Sequence, residues 1–282
     1  MNFTKMQGLG NDFIVVDGFK EKLPENLTDL ANKLCDRHFG IGADGLIVVL
    51  PSARADFRMR IINADGSEVE MCGNGIRCFA KYVYEAGLVE PGRDTFTVET
   101  LAGIMTPRLL VEGEKVVAVT VDMGEPVLER ALIPMLGSGG QAVSEPLDLL
   151  DTTYHITAVS MGNPHCVIFV DNVDQIPLEK YGPALETHPV FPKKTNVHFV
   201  QVLNRQELKM RVWERGVGVT LACGTGACAS LVAAVLNGKT QRRAKVYLPG
   251  GPLEIEWNEK NNHVYMTGPA ETVFTGVVQK IV

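Results

Sequence analysis

No run of about 18 consecutive apolar residues occurs in this chain of 282 residues, which argues against a membrane-spanning helix. Positive charge is not in excess either. Lysine and arginine number 27 against 33 aspartates and glutamates, for a net charge of −6. A nucleic-acid binder would normally carry a basic stripe. The opening stretch, MNFTKMQGLGNDFIVVDG, has no basic segment leading into a long apolar one. No secretory signal is therefore expected, and the expected location is cytoplasmic. The chain also lacks a P-loop and a dinucleotide fingerprint. GLGND at 8–12 does not have the G-x-G-x-x-G spacing.

What the chain does have is length for about two domains, a hydrophobic fraction of 45% and six cysteines. In a reducing compartment such thiols stay free, and clusters of them read as catalytic or metal-binding. Cys72 and Cys78 lie in EMCGNGIRCFAKYVYEAG (70–87), and Cys223 and Cys228 in LACGTGACASLVAAVLNG (221–238). The two stretches align as C-G-x-G, 151 residues apart. GNDFIVVD from Gly10 and GNPHCVIFVD from Gly162 match at an offset of 152. Asn63 and Glu214 each stand nine residues before their Cys. A period this long is a duplicated domain rather than a solenoid.

Each half reads as β-branched strands, a glycine turn into a helix, then a hairpin. The helices after Gly75 and Gly226 are apolar almost all round, so they should be buried. Gly87 and Gly238 follow them as C-caps. The expected fold is α+β, with two pseudo-symmetric lobes, each a mainly antiparallel mixed sheet wrapped around a central helix. The lobes are 1–125 plus 269–282, and 126–268, with an active-site cleft between them. Periodicity alone does not fix the parent lobe of the last segment. Residues 132–154, with GSGG, have no counterpart in the first half and are expected to be a surface link.

A thiol at a helix start sits beside unpaired N–H groups and a partial positive charge. Both favour the thiolate, so the pKa should fall from about 8.5. The glycines let a carboxylate approach those N–H groups. Two such sites facing one α-carbon could remove a proton from one side and return one from the other, with no pyridoxal phosphate.

The rival chemistry is zinc held by Cys72, Cys78, Cys223 and Cys228, as in a metal or thiol-sensing module. Structural zinc sites space their cysteines C-x₂₋₄-C on a turn. Cys78 is six residues from Cys72 along a helix, which turns it away. No metal is therefore expected, and Cys78, Cys228, Cys35 and Cys166 read as core packing.

MQGLGNDF, NADGSEVEMCGNGIRC, GNPHCV, TNVHFV and WERGVGVTLACGTGACA, in this order, together resemble the diaminopimelate epimerase family from Met6 to about Gly268. The resemblance implies a cofactor-independent epimerase that interconverts LL- and meso-2,6-diaminopimelate, in lysine and peptidoglycan biosynthesis. It implies Cys72 and Cys223 as the acid/base pair, and Gly73, Asn74, Gly224 and Thr225 as the clamp on the reacting carboxylate. Asn11, Asn63, Asn163, Asn196, Glu214 and Arg215 would bind the other amino-acid end. Arg215 suits a carboxylate bidentately, and Asn and Glu oxygens suit an ammonium. His165 and Glu214 would tune the thiols. Where some members carry Gln, this chain has Gly45. The implied partners are the small substrate and a second copy in a homodimer, with neither nucleic acid nor membrane. The same fold type would also suit a proline racemase-like or phenazine-type isomerase.

Overall fold

Strands such as FIVVD and GLIVVL show no polar alternation, and strands of that kind must be covered on both faces. The computed structural model, which describes residues 1–279, shows what covers them. Cα proximity divides the chain into two units, Met1–Asp122 with the segment from Thr267 on, and Met123–Met266. Of the 269–282 segment expected in the first lobe, 280–282 lie outside the described residues.

The first unit begins with β1 (Asn2–Gly8), β2 (Asn11–Asp17), α1 (Leu27–Cys35), β3 (Gly45–Leu50), β4 (Phe57–Asn63), β5 (Glu68–Val69) and α2 (Gly73–Glu85). β6 (Val98–Thr100), β7 (Gly103–Met105), β8 (Arg108–Glu112) and β9 (Lys115–Asp122) follow. In the second unit come β10 (Glu145–Leu149), β11 (Thr152–Ser160), β12 (Pro164–Phe169), α3 (Leu178–Glu186), β13 (Asn196–Asn204), β14 (Glu207–Glu214) and β15 (Gly218–Val219). It closes with α4 (Gly224–Leu236), β16 (Arg243–Leu248), β17 (Gly251–Trp257) and the first three residues of β18 (Val264–Gly268). The last strand, β19 (Glu271–Val277), pairs antiparallel with β1.

The order in the first unit is β19-β1-β2-β3-β4-β6-β7, with β5 on β4. Only β2–β3 and β4–β6 among these pairs run parallel. Side chains of a strand alternate between faces. Ile14, Val16, Leu46, Val48 and Ile62 pack with Leu27, Leu30 and Leu34 of α1. Their neighbours of opposite parity, Ile47 and Ile61, meet Gly75 of α2. The sheet thus lies between α1 and α2, which explains the buried runs.

The second unit repeats the plan, with β10-β11-β12-β13-β14-β16-β17-β18 in order and β15 on β14. Ile156, Ala158, Cys166, Ile168, Val197 and Phe199 pack with Leu178 and Leu185 of α3. The opposite face of β13 carries His198 against Gly226 of α4. Both central helices are buried along most of their length, α2 even at Arg77 and Lys81. Gly87 and Gly238 adopt φ of 70° and 65° just past the helix ends, as C-cap glycines do.

Residues 132–154 differ from the expected surface link. They carry β10, and Ile133, Met135, Ala142 and Leu149 enter the core beside Ile156 and Phe199. Arg130, itself buried, ion-pairs with Glu145. The apolar residues of this insertion are placed to bury against the sheet, and burial outweighs the turn propensity of GSGG.

Candidate active site

Cys72 is the N-cap of α2. Its backbone is extended (φ −135°, ψ 121°), and its sulfur accepts the Gly75 N–H at 3.4 Å. The thiol therefore stands where Ser or Asp would cap. It also donates to Asn11 Oδ1 at 3.6 Å, and that oxygen accepts Asn74 Nδ2 at 3.2 Å. Asn74 is buried, and among the described residues its own Oδ1 has no partner. A buried bare acceptor suits a donor that arrives with a ligand.

Asn11 is held from behind. Its Nδ2 donates to Asp44 Oδ2 at 2.8 Å, and Arg37 bridges Asp44 and Asp12 at 2.9 and 2.8 Å. Lys5 adds an ion pair to Asp12. Partial burial pushes the Asp12 carboxyl up, but hydrogen bonds and charge from Arg37 and Lys5 outweigh it and bring it down to about 2. Asn63 ends β4 in a tight turn, with its Nδ2 donating to Ser67 Oγ at 3.1 Å.

Cys223 is the N-cap of α4, again extended (φ −129°, ψ 103°), but its sulfur makes no capping hydrogen bond like that of Cys72. The sulfur lies 3.7 Å from Thr225 Oγ1 and interacts with the Glu214 carboxylate, which also accepts the Thr220 hydroxyl. Here the helix-start expectation of a lowered pKa fails. Burial pushes the Cys223 thiol well up and the Glu214 charge pushes it further, against weaker pulls from Thr225 and the Gly226 N–H. Burial likewise raises Glu214, despite hydrogen bonds from Thr220 and Cys223.

Arg215 is exposed, with its Nη1 donating to the Lys193 carbonyl at 3.1 Å. The loop that carries it is clamped twice. Asn196 Oδ1 accepts the Arg215 N–H at 3.0 Å while its Nδ2 donates to the Pro164 carbonyl at 2.9 Å. Glu186 accepts the Gly216 N–H at 3.0 Å. His165 is fully buried, with Nε2 2.8 Å from Asn163 Oδ1 and Nδ1 2.8 Å from His198 Nε2. Burial, then the nearby His198 and Arg215, keep its pKa well below the usual value. Burial also lowers His198, to about 3.

Within the first unit the fold thus brings Cys72, Asn74 and Asn11 together. Within the second it gathers Cys223, Thr225 and Glu214, and places Arg215 near His165, which bonds Asn163. Asn63 ties to the Ser67 side chain across its turn, and Asn196 holds the backbone of the Arg215 loop. Gly73 and Gly224 open the two helices. Gly45 pairs with Phe13 and Asn63 in the sheet. Sequence reasoning missed Asp44, Arg37, Glu186, Thr220 and His198. Asp44 stands beside Gly45 in GADG and His198 inside TNVHFV, so both lay in stretches already singled out. Cys78 and Cys35 are buried, and burial pushes each up to about 12, the state of inert core thiols. Among the described residues no group of three His, Cys, Asp or Glu is placed to hold a metal.

Residues 3–129 and 157–273 match the family model described as diaminopimelate epimerase. A diaminopimelate epimerase of Pelotomaculum thermopropionicum is 62% identical over 277 residues, 98% of each chain. One of Moorella thermoacetica is 59% identical over 276 residues, again 98% of each chain. Among solved structures, a Bacillus anthracis phenazine biosynthesis protein of the PhzF family matches with a TM-score of 0.70 at 19% identity, over 99% of each chain. That likeness concerns the fold alone.

Proposed function

The chain belongs to the diaminopimelate epimerase family, and on that premise we propose that Cys72 and Cys223 are the two acid/base thiols of its reaction. The reaction is an amino-acid isomerisation, the interconversion of LL- and meso-2,6-diaminopimelate. Inverting the α-carbon requires a proton to leave from one side and another to arrive from the other. In one direction the Cys72 thiolate takes the α-proton and becomes a thiol. The carbanion then takes the proton of the Cys223 thiol, which becomes the thiolate. The reverse reaction exchanges the roles, and no electrons are gained or lost.

The observation that carries this reading is the repeated N-cap cysteine, one at the start of each buried central helix. Cys72 accepts a first-turn N–H, a contact that suits a thiolate. Burial and Glu214 keep the proton on Cys223, which suits the acid of the first half-reaction. First-turn N–H groups from Gly73, Asn74, Gly224 and Thr225 hold the reacting carboxylate and stabilise charge that spreads into it. Asn11, Asn63, Asn163 and Arg215 meet the distal amino-acid end, with Asn196 fixing the Arg215 loop. Glu214 tunes Cys223, whereas His165, expected to tune a thiol as well, has both ring nitrogens engaged by His198 and Asn163 and acts through Asn163 instead.

The test is α-deuteration. LL-diaminopimelate in deuterium oxide, with enzyme and no added cofactor, should yield meso product carrying deuterium at the inverted carbon. Meso product without deuterium would rule out exchange through the thiols.

We place the protein in the cytoplasm as a homodimer. No helix among the described residues is long and apolar enough to cross a membrane. The edge strand β19 exposes Val273, Phe274 and Val277, apolar surface that a second copy would cover. Light scattering at a monomer mass would overturn the dimer.

A further inference from the structure

His198 has no place in the reaction as described, yet it is fully buried, and its Nδ1 has no hydrogen-bond partner among the described residues. Its surroundings decide which ring nitrogen carries the hydrogen. A methyl group on Gly226 would lie 2.2 Å from His198 Cε1 and 2.9 Å from both Nδ1 and Nε2. The ring therefore lies directly under the first turn of α4 with its two nitrogens equally near, and the hydrogen bonds distinguish them, since Nε2 is partnered by His165 and Nδ1 is not. A buried unpaired N–H is rarer than an under-satisfied acceptor. Nδ1 is thus the bare acceptor and Nε2 carries the hydrogen.

His198 Nε2–H donates to His165 Nδ1 at 2.8 Å, so His165 is protonated at Nε2, which donates to Asn163 Oδ1 at 2.8 Å. An amide whose oxygen is engaged in this way turns its NH₂ group away from the ring. We propose that His198 is a positioning residue, which fixes the His165 tautomer and so makes Asn163 present a donor, rather than an acceptor, to a carboxylate of the substrate. The inference rests on the placement of Asn163 at the substrate. Both rings stay neutral near pH 7, since burial lowers their pKa values, so the relay is a fixed orientation and not a switch.

The experiment compares two variants with the native enzyme. His198→Phe keeps a flat ring under Gly226 but removes the donor. His165 can then protonate at Nδ1, and Asn163 turns its oxygen to the substrate. The expected result is a fall of roughly ten- to a hundredfold in kcat/KM, carried by KM. His198→Gln restores an N–H near the Nε2 position and should recover most of that loss. Nitrogen-15 NMR of the native enzyme should show His165 protonated at Nε2 only, and this reading stands alone if the Phe variant does not fold. A native KM in His198→Phe, equal damage in the Gln and Phe variants, or a His165 protonated at Nδ1 would each overturn the relay. Asn163→Ala separates the two layers. A native KM there would sink the placement of Asn163 itself, whereas a raised KM beside a native His198→Phe would sink the relay alone.

Discussion

At the scale of single residues, the two cysteines share a position but not an environment. Cys72 is half-exposed and caps its helix, whereas Cys223 is buried beside a carboxylate. Glu214→Gln removes the negative charge that helps hold the Cys223 proton. Its thiol should then ionise at lower pH, and alkylation by iodoacetamide should set in earlier on the pH scale. An unchanged alkylation profile at Cys223 would disconnect Glu214 from the thiol. The helix-start rule, applied to C-G-x-G alone, predicted a lowered pKa for both sulfurs. Cys223 departs from it because desolvation opposes the charged form more strongly than one helix end supports it. Nothing in the residues near 223 shows how deeply the sulfur is buried; that Glu214 reaches the thiol was legible only through the family resemblance.

At the scale of elements, the second glycine of each motif lets its helix approach the sheet. Gly75 meets the mobile end of Ile61, 2.9 Å from where a methyl would stand, while Gly226 meets the His198 ring at 2.2 Å. Gly226→Ala should therefore destabilise the fold by about 1–3 kcal/mol, and Gly75→Ala by less, since Ile61 can rotate. Urea unfolding of both variants measures this, and equal effects would contradict the packing account. The starts and ends of α2 and α4 were legible in the C-G-x-G turns and in Gly87 and Gly238. β10 was not, because GSGG dominates the reading of a segment whose burial depends on strands far along the chain. The pairing of His165 with His198 was also hidden. It depends on the parallel register of β12 and β13, in which His165 stands opposite Asn196 and Val167 opposite His198, and no local pattern states a register.

At the scale of the whole molecule, duplication explains why one chain has two buried helices that both begin at a cysteine. It also shapes the pH dependence of stability. His165 and His198 have folded pKa values below the unfolded value of about 6.5. Their contribution is complete above pH 6.5 and is lost as pH falls toward the folded values. Each can cost up to about 1.4 kcal/mol per pH unit between pH 6 and 4. Cys35, Cys78 and Cys223 have folded values above the unfolded one, so their contribution is lost as pH rises past about 9. Thermal unfolding should show Tm highest between these limits, with an acid arm that flattens in His198→Gln. An unaltered acid arm would mean that His198 is not buried in its neutral form.

The most direct measurement is epimerisation by Cys72→Ala and Cys223→Ala, each followed from LL- and from meso-diaminopimelate in deuterium oxide. Removal of one partner of an acid/base pair should slow inversion by roughly 10²–10⁴-fold or more in both variants and in both directions. Near-native turnover by either folded variant would show that inversion does not need a sulfur from each half of the chain.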